Sequence, residues 1–257
     1  VCYACIPGIL AQTWFFGWGT IIQISLAIIT AVVTESTILE LRKKDVSRGI
    51  GDYSAILTAI LLGICLPPLA PWWLVVIGTF FSIAIVKQLY GGLGFNMFNP
   101  AMVGYVVLLI SFPISMSAWL PVQSMAQTPY DFLDALNVIA TGYSQTGYSL
   151  AQLQLGVDSV TQATPLDAVR TGLLGGMTYS ETLSAPIFIS DWGWSYGWSA
   201  VSIAYLIGGV FLLQQRIINW HMPISMLFGV IVTAGLLNML APDQTGSIPF
   251  HLFSGAV

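Results

Sequence analysis

Seven long apolar stretches follow one another along the chain, and most of them are long enough to cross a lipid bilayer. A transmembrane helix needs about 20 mainly apolar residues. The stretches are Val1–Phe16, Thr20–Leu41, Ser54–Leu66, Pro71–Tyr90, Pro100–Leu120, Ser199–Leu213 and Pro223–Ala241, and another begins at Phe250. The sequence therefore predicts an all-α polytopic membrane protein built as a bundle of several spans.

Charged residues are too scarce for a water-soluble protein of this length. Of the 257 residues only 7% are charged, whereas an ordinary soluble domain has about a quarter. This composition excludes a soluble enzyme and a disordered chain. Because the 11 acidic residues outnumber the 7 basic ones, we also expect no binding to nucleic acid. Both ends of the sequence are apolar, so we expect the intact protein to extend beyond them.

The basic residues predict how the spans are oriented. Six of the seven lie on one side if the spans alternate, and they are Arg42, Lys43, Lys44, Arg48, Lys87 and Arg216. The positive-inside rule assigns that side to the cytoplasm. The long loop 121–198 then lies on the outer side, which in a bacterium is the periplasm.

This reading divides the chain into three regions. Residues 1–120 form a first transmembrane half of five spans, of which the first is cut. Residues 121–198 form the periplasmic loop, and residues 199–257 begin a second, truncated half. The loop is too long for a plain connection. It is either a partly disordered linker or, as its leucines and aromatic residues indicate, a small folded lobe on the membrane surface.

The third span is short. Ser54–Leu66 has 13 residues and runs into a turn that contains Pro67, Pro68 and Pro71. At 1.5 Å per residue a helix of this length does not cross the hydrocarbon core. It is either tilted and lengthened by its flanks or one of the broken helices that line polar sites in transporters.

Few side chains within the spans carry chemistry. Glu35 is the one acid well inside a span, and an intramembrane carboxylate is a candidate for an ion or proton site. The alternative is that its side chain extends to the membrane surface or faces a neighbouring helix. Cys2 and Cys5 have the spacing of a redox or metal pair. They lie in an apolar segment with no second pair, so we interpret them as small apolar residues. The sequence predicts no catalytic residue and no metal ligand.

A glycine-rich turn precedes the fifth span. Its three glycines, at 91, 92 and 94, allow the backbone to approach a ligand closely, and Asn96 and Asn99 supply amide groups. Pro100 then opens the span, whose free N–H groups favour an electron-rich ligand. The alternative is a plain turn capped by Asn99.

A second polar segment lies in the long loop, between Asp158 and Asp167. Pro165 favours an extended backbone at Thr164, which would present the Thr164 hydroxyl on a loop as an attachment point for a phosphate ester. The residues alone favour a plainer alternative, namely a turn that leads into a helix with Pro165 at its first position.

Taken together, these segments resemble the D subunits of the Rnf complex and, more distantly, the B subunits of the sodium-translocating NADH:quinone reductase. The resemblance covers essentially the whole chain. It rests on Gln12-Thr13, Gly17–Thr20, the Pro67–Trp73 turn, Lys87–Gly94, Asn96, Phe98–Tyr105, Ala163–Asp167, Ile217-Ile218, Trp220-His221 and His251–Ala256.

The resemblance implies a covalent flavin. In that family a dedicated flavin transferase draws FMN from FAD and joins it, through its phosphate, to the last Thr of a Ser/Thr-x-Ala-Thr motif. The matching residues are Thr164 as the acceptor and Asp158, Thr161, Ala163 and Asp167 as its companions. The residue before Ala163 is often Gly in the family and is Gln162 here, which leaves the acceptor hydroxyl intact. A second, non-covalent riboflavin would lie near Asn96 and Asn99.

The resemblance also implies a fold and a role. The fold would have two inverted halves, like urea and ammonium channels. The protein would relay electrons within an ion-translocating oxidoreductase complex of the ferredoxin:NAD⁺ type, coupled to transport of Na⁺ or H⁺. It would not be catalytic alone. Its partners would be flavin- and iron–sulfur-carrying subunits, the flavin transferase and the lipids of a bacterial inner membrane.

Two other functions are compatible with much of the sequence. A small-solute channel or transporter without a redox cofactor would explain the short third span, the glycine-rich turn and Glu35 equally well. It would not explain the Thr164 motif. A scaffold that only docks partners would have the same fold and would tolerate loss of Thr164.

Overall fold

The computed structural model describes residues 1–90, 95, 97–126, 130–153, 164–189, 194–195 and 197–256. Across these residues the chain is mostly helical, with no β-strand and two isolated bridges. The helices are α1 (Cys2–Phe16), α2 (Gly19–Leu41), α3 (Val46–Ile50), α4 (Ser54–Cys65), α5 (Trp72–Leu89), α6 (Pro100–Ser111), α7 (Pro113–Ser117), α8 (Phe132–Thr141), α9 (Leu150–Leu153), α10 (Pro165–Leu174), α11 (Tyr179–Thr182), α12 (Trp198–Gln214), α13 (His221–Leu240) and α14 (Ile248–His251). This architecture agrees with the predicted all-α membrane protein.

Three of the described helices, α2, α5 and α13, are long and apolar enough to cross a membrane. The apolar helices α1, α4, α6 and α12 are shorter. The 12 residues of α4 extend about 18 Å, which is less than the hydrocarbon thickness of about 30 Å. The short third span is therefore a short helix that ends at the proline-rich turn.

The prediction of one continuous span over Pro100–Leu120 is wrong. Helix α6 ends at Ser111, Phe112 leaves the helical region with φ −134° and ψ 55°, and Pro113 opens the separate helix α7. The cause is Pro113, which has no N–H to donate to the preceding turn and whose ring disfavours helical backbone at Phe112.

Helix α2 lies at the centre of the membrane bundle and packs against both α4 and α5. The contact with α4 is close because its residues are small. Ala27 and Ala31 of α2 and Ala59 of α4 are fully buried. Gly63 of α4 also approaches the backbone of α2 closely. A Cβ added at Gly63 would lie 3.0 Å from the Cα of Ile24. Close packing of small residues is how helices associate in lipid, where the hydrophobic effect between helices is weak.

Helices α1 and α12 form the other close pair, which joins the beginning of the chain to the residues after the long loop. A Cβ at Gly208 would overlap the carbonyl oxygen of Ala4, and one at Gly8 would overlap the ring of Tyr205. Tyr205 also donates a hydrogen bond of 2.9 Å to the side chain of Gln12. The pair is thus held both by shape and by a polar contact.

The described residues of loop 121–198 are folded against the ends of these helices. One small core packs on Ile22 of α2, and its members are Leu69, Leu120, Tyr130, Ala135, Val138, Ile139 and Leu153. A second core joins α10 and α11 to α14, and its members are Val169, Tyr179, Ile187, Phe188 and Phe250. Residues 130–153 and 164–189 make up the outer lobe, so named for the side of the membrane that the sequence predicts.

The outer lobe lies at the Gly19 end of α2. The hydroxyl of Tyr130 donates to the carbonyl oxygen of Phe16. Gly17 has φ +81°, which favours glycine, and lies against the side chain of Tyr130. The backbone N–H of Tyr179 donates to the carbonyl of Asp243 at 2.8 Å. Gly17, Asp243 and the outer lobe thus lie together at one end of the bundle.

Candidate functional site

Thr164 is positioned by the first turn of α10. Its backbone is extended, with φ −58° and ψ 156°, and Pro165 occupies the first helical position. The Thr164 hydroxyl oxygen accepts a hydrogen bond of 3.3 Å from the N–H of Asp167. The expectation of a hydroxyl on a loop, separate from any helix, is therefore wrong, because Thr164 is the N-cap of α10. The plainer alternative, a turn that leads into a helix at Pro165, describes the local structure.

This geometry leaves Thr164 chemically available. The oxygen acts only as an acceptor in the cap, so its own hydrogen is not used there. The N-terminus of a helix carries a partial positive charge and free N–H groups that favour a phosphate. Asp167 lies on the same turn and is exposed, so its carboxylate is solvated beside the cap. The other motif residues, Asp158, Thr161 and Ala163, lie outside the described residues.

Helix α11 packs against α10 and braces it. It begins with a capping box in which Thr178 and Glu181 satisfy each other's backbone N–H groups. The hydrogen bond from the Thr178 N–H, 2.7 Å from the Glu181 carboxylate, lowers the pKa of Glu181 below its usual value. The methyl group of Thr182 lies against Gly172 of α10, so the two short helices fit closely.

At the other end of α2, Glu35 forms a buried ion pair with Lys87. The Lys87 Nζ is 2.5 Å from the Glu35 Oε1, and both side chains are only 2% exposed. The Gln88 side chain donates to the same Oε1 at 2.7 Å. Glu35 Oε2 is buried and has no partner in the described part of the chain. Glu35 therefore faces polar groups of a neighbouring helix.

A π-helical segment makes this arrangement possible. Residues Phe81–Leu89, the second part of α5, form a π-helix, a rare form in which hydrogen bonds join residues five apart. The consecutive side chains of Lys87 and Gln88 both contact Glu35 there. The sequence placed Lys87 among the basic residues at the ends of spans and gave no sign of its burial. The signal that could have found the pair is Glu35 itself, because a carboxylate inside a membrane needs a partner.

Asn99, which follows the glycine-rich segment in the sequence, lies at this same end of the bundle. Asn99 is the N-cap of α6 and its side chain accepts from the N–H of Ala101 at 3.0 Å. The alternative of a capped turn thus describes Asn99, and Asn96 lies outside the described residues. An apolar cleft of about 300 Å³ lies nearby, and its lining includes Tyr90, Met97 and Phe98.

Metal chemistry has no ready site among the described residues. They contain no group of three or more His, Cys, Asp or Glu side chains that could hold a metal ion. The thiols of Cys2, Cys5 and Cys65 are free.

The fold and the buried ion pair between two apolar helices define a class, the multi-pass α-helical membrane proteins. Within that class the chain belongs to the NQR2, RnfD, RnfE family, whose sequence model matches residues 1–257. The resemblance stated from the sequence is thereby confirmed.

Curated relatives share one name, that of the D subunit of an ion-translocating oxidoreductase complex. The proteins from Aeromonas hydrophila and Aliivibrio salmonicida are 54% and 52% identical to this chain over 256 residues. The protein from Salmonella typhimurium is 51% identical over the same length. In each comparison all of this chain is matched, together with 72–73% of the relative.

Proposed function

We propose that this chain is a flavin-carrying membrane subunit of an ion-translocating oxidoreductase complex of the ferredoxin:NAD⁺ type. FMN is joined through its phosphate to Thr164, and electron transfer is coupled to movement of Na⁺ or H⁺. The observation that carries the proposal is the position of Thr164 as the N-cap of α10. The names of the relatives support the complex and its ion-translocating role.

The N-cap position suits esterification. A transferase that uses FAD would form a bond between the Thr164 oxygen and the phosphorus of the FMN half, while AMP leaves and the hydroxyl proton is lost. The ester oxygen keeps a lone pair for the N–H of Asp167, so the cap survives the reaction. The phosphate would then lie at the positive end of the helix, where an anion gains about 0.3–1 kcal/mol. FMN in that place supplies one- and two-electron redox chemistry.

The position of the outer lobe supports a periplasmic location for loop 121–198 in a bacterial inner membrane. Ile22 contacts the lobe, whereas Glu35, 13 residues further along α2, contacts Lys87. At 1.5 Å per residue these points are about 20 Å apart. Arg42, Lys43 and Lys44 lie beyond Glu35, so the lobe and the basic turn are at opposite ends. By the positive-inside rule, this arrangement supports a lobe on the periplasmic side.

The cleft beside Met97 supports the proposal of a second, non-covalent flavin such as riboflavin. Its volume of about 300 Å³ is at the lower end of small-ligand sites, and its aromatic and apolar walls suit a planar ring. The fold proposed with this function is the inverted repeat of urea and ammonium channels, to which residues 1–120 and 199–257 contribute one half and the start of the other.

The test is flavin fluorescence on a denaturing gel, with protein produced in a host that has the flavin transferase. We expect a fluorescent band for the unmodified chain, no band for Thr164→Ala, and a retained band for Thr164→Ser, which keeps the hydroxyl. Thr164→Asp keeps an N-cap but no hydroxyl, so it should fold and remain dark. The matched control is Thr178→Ala, which removes the other threonine cap of the lobe and should leave the band unchanged.

The possible results separate the functions. A dark band for the unmodified chain would contradict the proposal and favour a channel without a redox cofactor. Fluorescence that persists in Thr164→Ala would show that the flavin is attached elsewhere.

A further inference from the structure

An apolar cleft lies between α2 and α5 near the ends that carry Arg42 and Leu89. It has a volume of about 890 Å³, within the range of sites that bind small ligands. Its walls are mostly hydrocarbon, and they include Val33, Ile38, Leu41, Phe80, Ile85 and Leu89. Both helices are long enough to span a membrane, so the cleft lies at a depth that lipid acyl chains reach.

One edge of the cleft is cationic. Arg42 follows the last residue of α2 and lines the cleft together with Gln88. Its Nη1 donates to the backbone carbonyl of Gln88 at 2.8 Å and to the Gln88 side chain at 3.3 Å. These two bonds fix the guanidinium at the edge of the cleft. Among the described residues, the Nε and Nη2 groups of Arg42 have no hydrogen-bond partner.

The charge of Arg42 is not neutralised by the described protein. No carboxylate in that part of the chain lies within 4.0 Å of the guanidinium. The neighbouring cation, Lys87, is already paired with Glu35. Arg42 therefore offers a positive charge and a planar set of N–H donors, which is the geometry that binds phosphate through two parallel hydrogen bonds.

The Arg42 edge of the cleft lies at the depth expected for lipid headgroups. Lys43 and Lys44 come next in the chain and are exposed, as is usual for basic residues at the cytoplasmic surface of a bilayer. Anionic lipids are attracted to such basic segments. The cleft thus combines an apolar slot at the depth of acyl chains with an unpaired guanidinium at the depth of phosphates.

We propose that this cleft is a binding site for an anionic glycerophospholipid of the phosphatidylglycerol type. An acyl chain lies along the apolar walls between α2 and α5, and the phosphate accepts hydrogen bonds from the Arg42 guanidinium. The occupant is anionic because the edge is cationic and has no counter-ion among the described residues. The inference does not depend on a flavin at Thr164, which is at the other end of the bundle.

The experiment is non-denaturing mass spectrometry of the detergent-purified complex, from which the full-length subunit is released with its bound lipids. The complex is delipidated and then supplied with phosphatidylglycerol or with phosphatidylethanolamine of the same acyl chains. We expect phosphatidylglycerol adducts to exceed phosphatidylethanolamine adducts by about tenfold, and Arg42→Gln to remove most of that preference. The charge-matched control is Arg216→Gln, in the turn between α12 and α13, which should keep it.

A second pair of variants tests the cleft without changing a charge. Thr37 lines the cleft at its exposed rim, so Thr37→Trp should block the acyl chain and lower phosphatidylglycerol binding. Ile29 is 61% exposed on the same helix and does not line the cleft, so Ile29→Trp should have no effect.

Three results would overturn the proposal. One is equal binding of the two lipids by the unmodified complex, and another is an unchanged preference in Arg42→Gln. The third comes from a photo-reactive residue at position 37 in native membranes. A cross-link to a helix of another subunit, instead of to lipid, would show that protein covers the cleft.

Discussion

Glu35 and Lys87 are both buried away from water, so the charge of each is compensated by the other. The two charged groups are almost fully buried, so removal of one leaves the other without compensation. Breaking a buried ion pair in this way costs about 3–5 kcal/mol, whereas removal of both partners is often close to neutral.

We therefore expect Lys87→Met to lower the melting temperature of the purified protein strongly. Among the described residues, the Glu35 carboxylate would then keep Gln88 alone as a partner. The double variant Glu35→Gln with Lys87→Met should recover much of the loss. Thermal unfolding in detergent gives the melting temperatures of the unmodified protein, the single variant and the double variant. Lys43→Met is the control because Lys43 is exposed. Strictly additive losses in the double variant would contradict the coupling.

Sequence reasoning could find half of this site. Glu35 is conspicuous because a carboxylate within an apolar stretch is rare. Its partner was hidden because Lys87 lies near the end of its stretch, where a lysine normally extends to water. Lys87 and Gln88 lie in the π-helical segment 81–89 and both contact Glu35. The mean hydropathy of a stretch contains no information on such a local change of helix geometry.

At the scale of helices, the contact between α1 and α12 depends on the absence of a side chain at Gly208. A methyl group there would overlap the carbonyl oxygen of Ala4, which belongs to a rigid backbone. Gly209 is the neighbouring residue on the same helix, and an added Cβ would meet nothing within 4 Å.

We expect Gly208→Ala to destabilise the protein by about 1–3 kcal/mol, the usual cost of overpacking a close contact. Gly209→Ala should be neutral or slightly stabilising, because alanine is the better helix former. Melting temperatures of the two variants in detergent give the comparison directly. Equal effects of the two substitutions would mean that α1 and α12 are not in close contact.

The helices themselves were predictable where one long apolar stretch makes one helix. The beginnings and ends of α2, α12 and α13 fall within two residues of the predicted bounds. The stretch Pro100–Leu120 failed because its residues stay apolar through a break in the backbone. Hydropathy does not detect a missing N–H, although Pro113 itself indicates a break because proline cannot donate the helical hydrogen bond.

For the molecule as a whole, Tyr130 ties the outer lobe to the membrane helices. Its hydroxyl donates to the Phe16 carbonyl, and burial raises the pKa of Tyr130 above its usual value. A phenol whose pKa is raised by folding contributes stability that is fully present below its unfolded pKa of about 10 and is lost as the pH rises above it.

Tyr130→Phe should weaken the attachment of the lobe by about 1 kcal/mol, the net value of one hydrogen bond. Hydrogen exchange of residues 130–153 measures the loss, and Tyr143→Phe is the control because Tyr143 is 59% exposed. Between pH 5 and about 9, the backbone amides of the lobe should exchange more slowly in the unmodified protein than in Tyr130→Phe, by a constant factor. Above about pH 10 the difference should shrink. A difference that already disappears near neutral pH would show that the phenol is not buried.

The sequence indicated that the long loop contained a folded part, because leucines and aromatic residues recur in it. It did not indicate which distant residues complete that part. Phe250 begins an apolar stretch, so the pattern assigned it to a further span. In the structure its ring packs with Tyr179 and Phe188 of the lobe. Contacts between residues so far apart in the chain leave no periodic pattern to read.

The place of Phe250 in that core sets an order of events during synthesis of the protein. Thr164 leaves the ribosome well before Phe250, and α12 and α13 lie between them in the chain. The core that holds α10 is therefore incomplete until both helices have entered the membrane and the chain has returned to the lobe. An enzyme that recognises the finished helix can act on Thr164 only after translation has passed this point. If FMN is attached to Thr164 as proposed above, the attachment would then follow insertion of both helices.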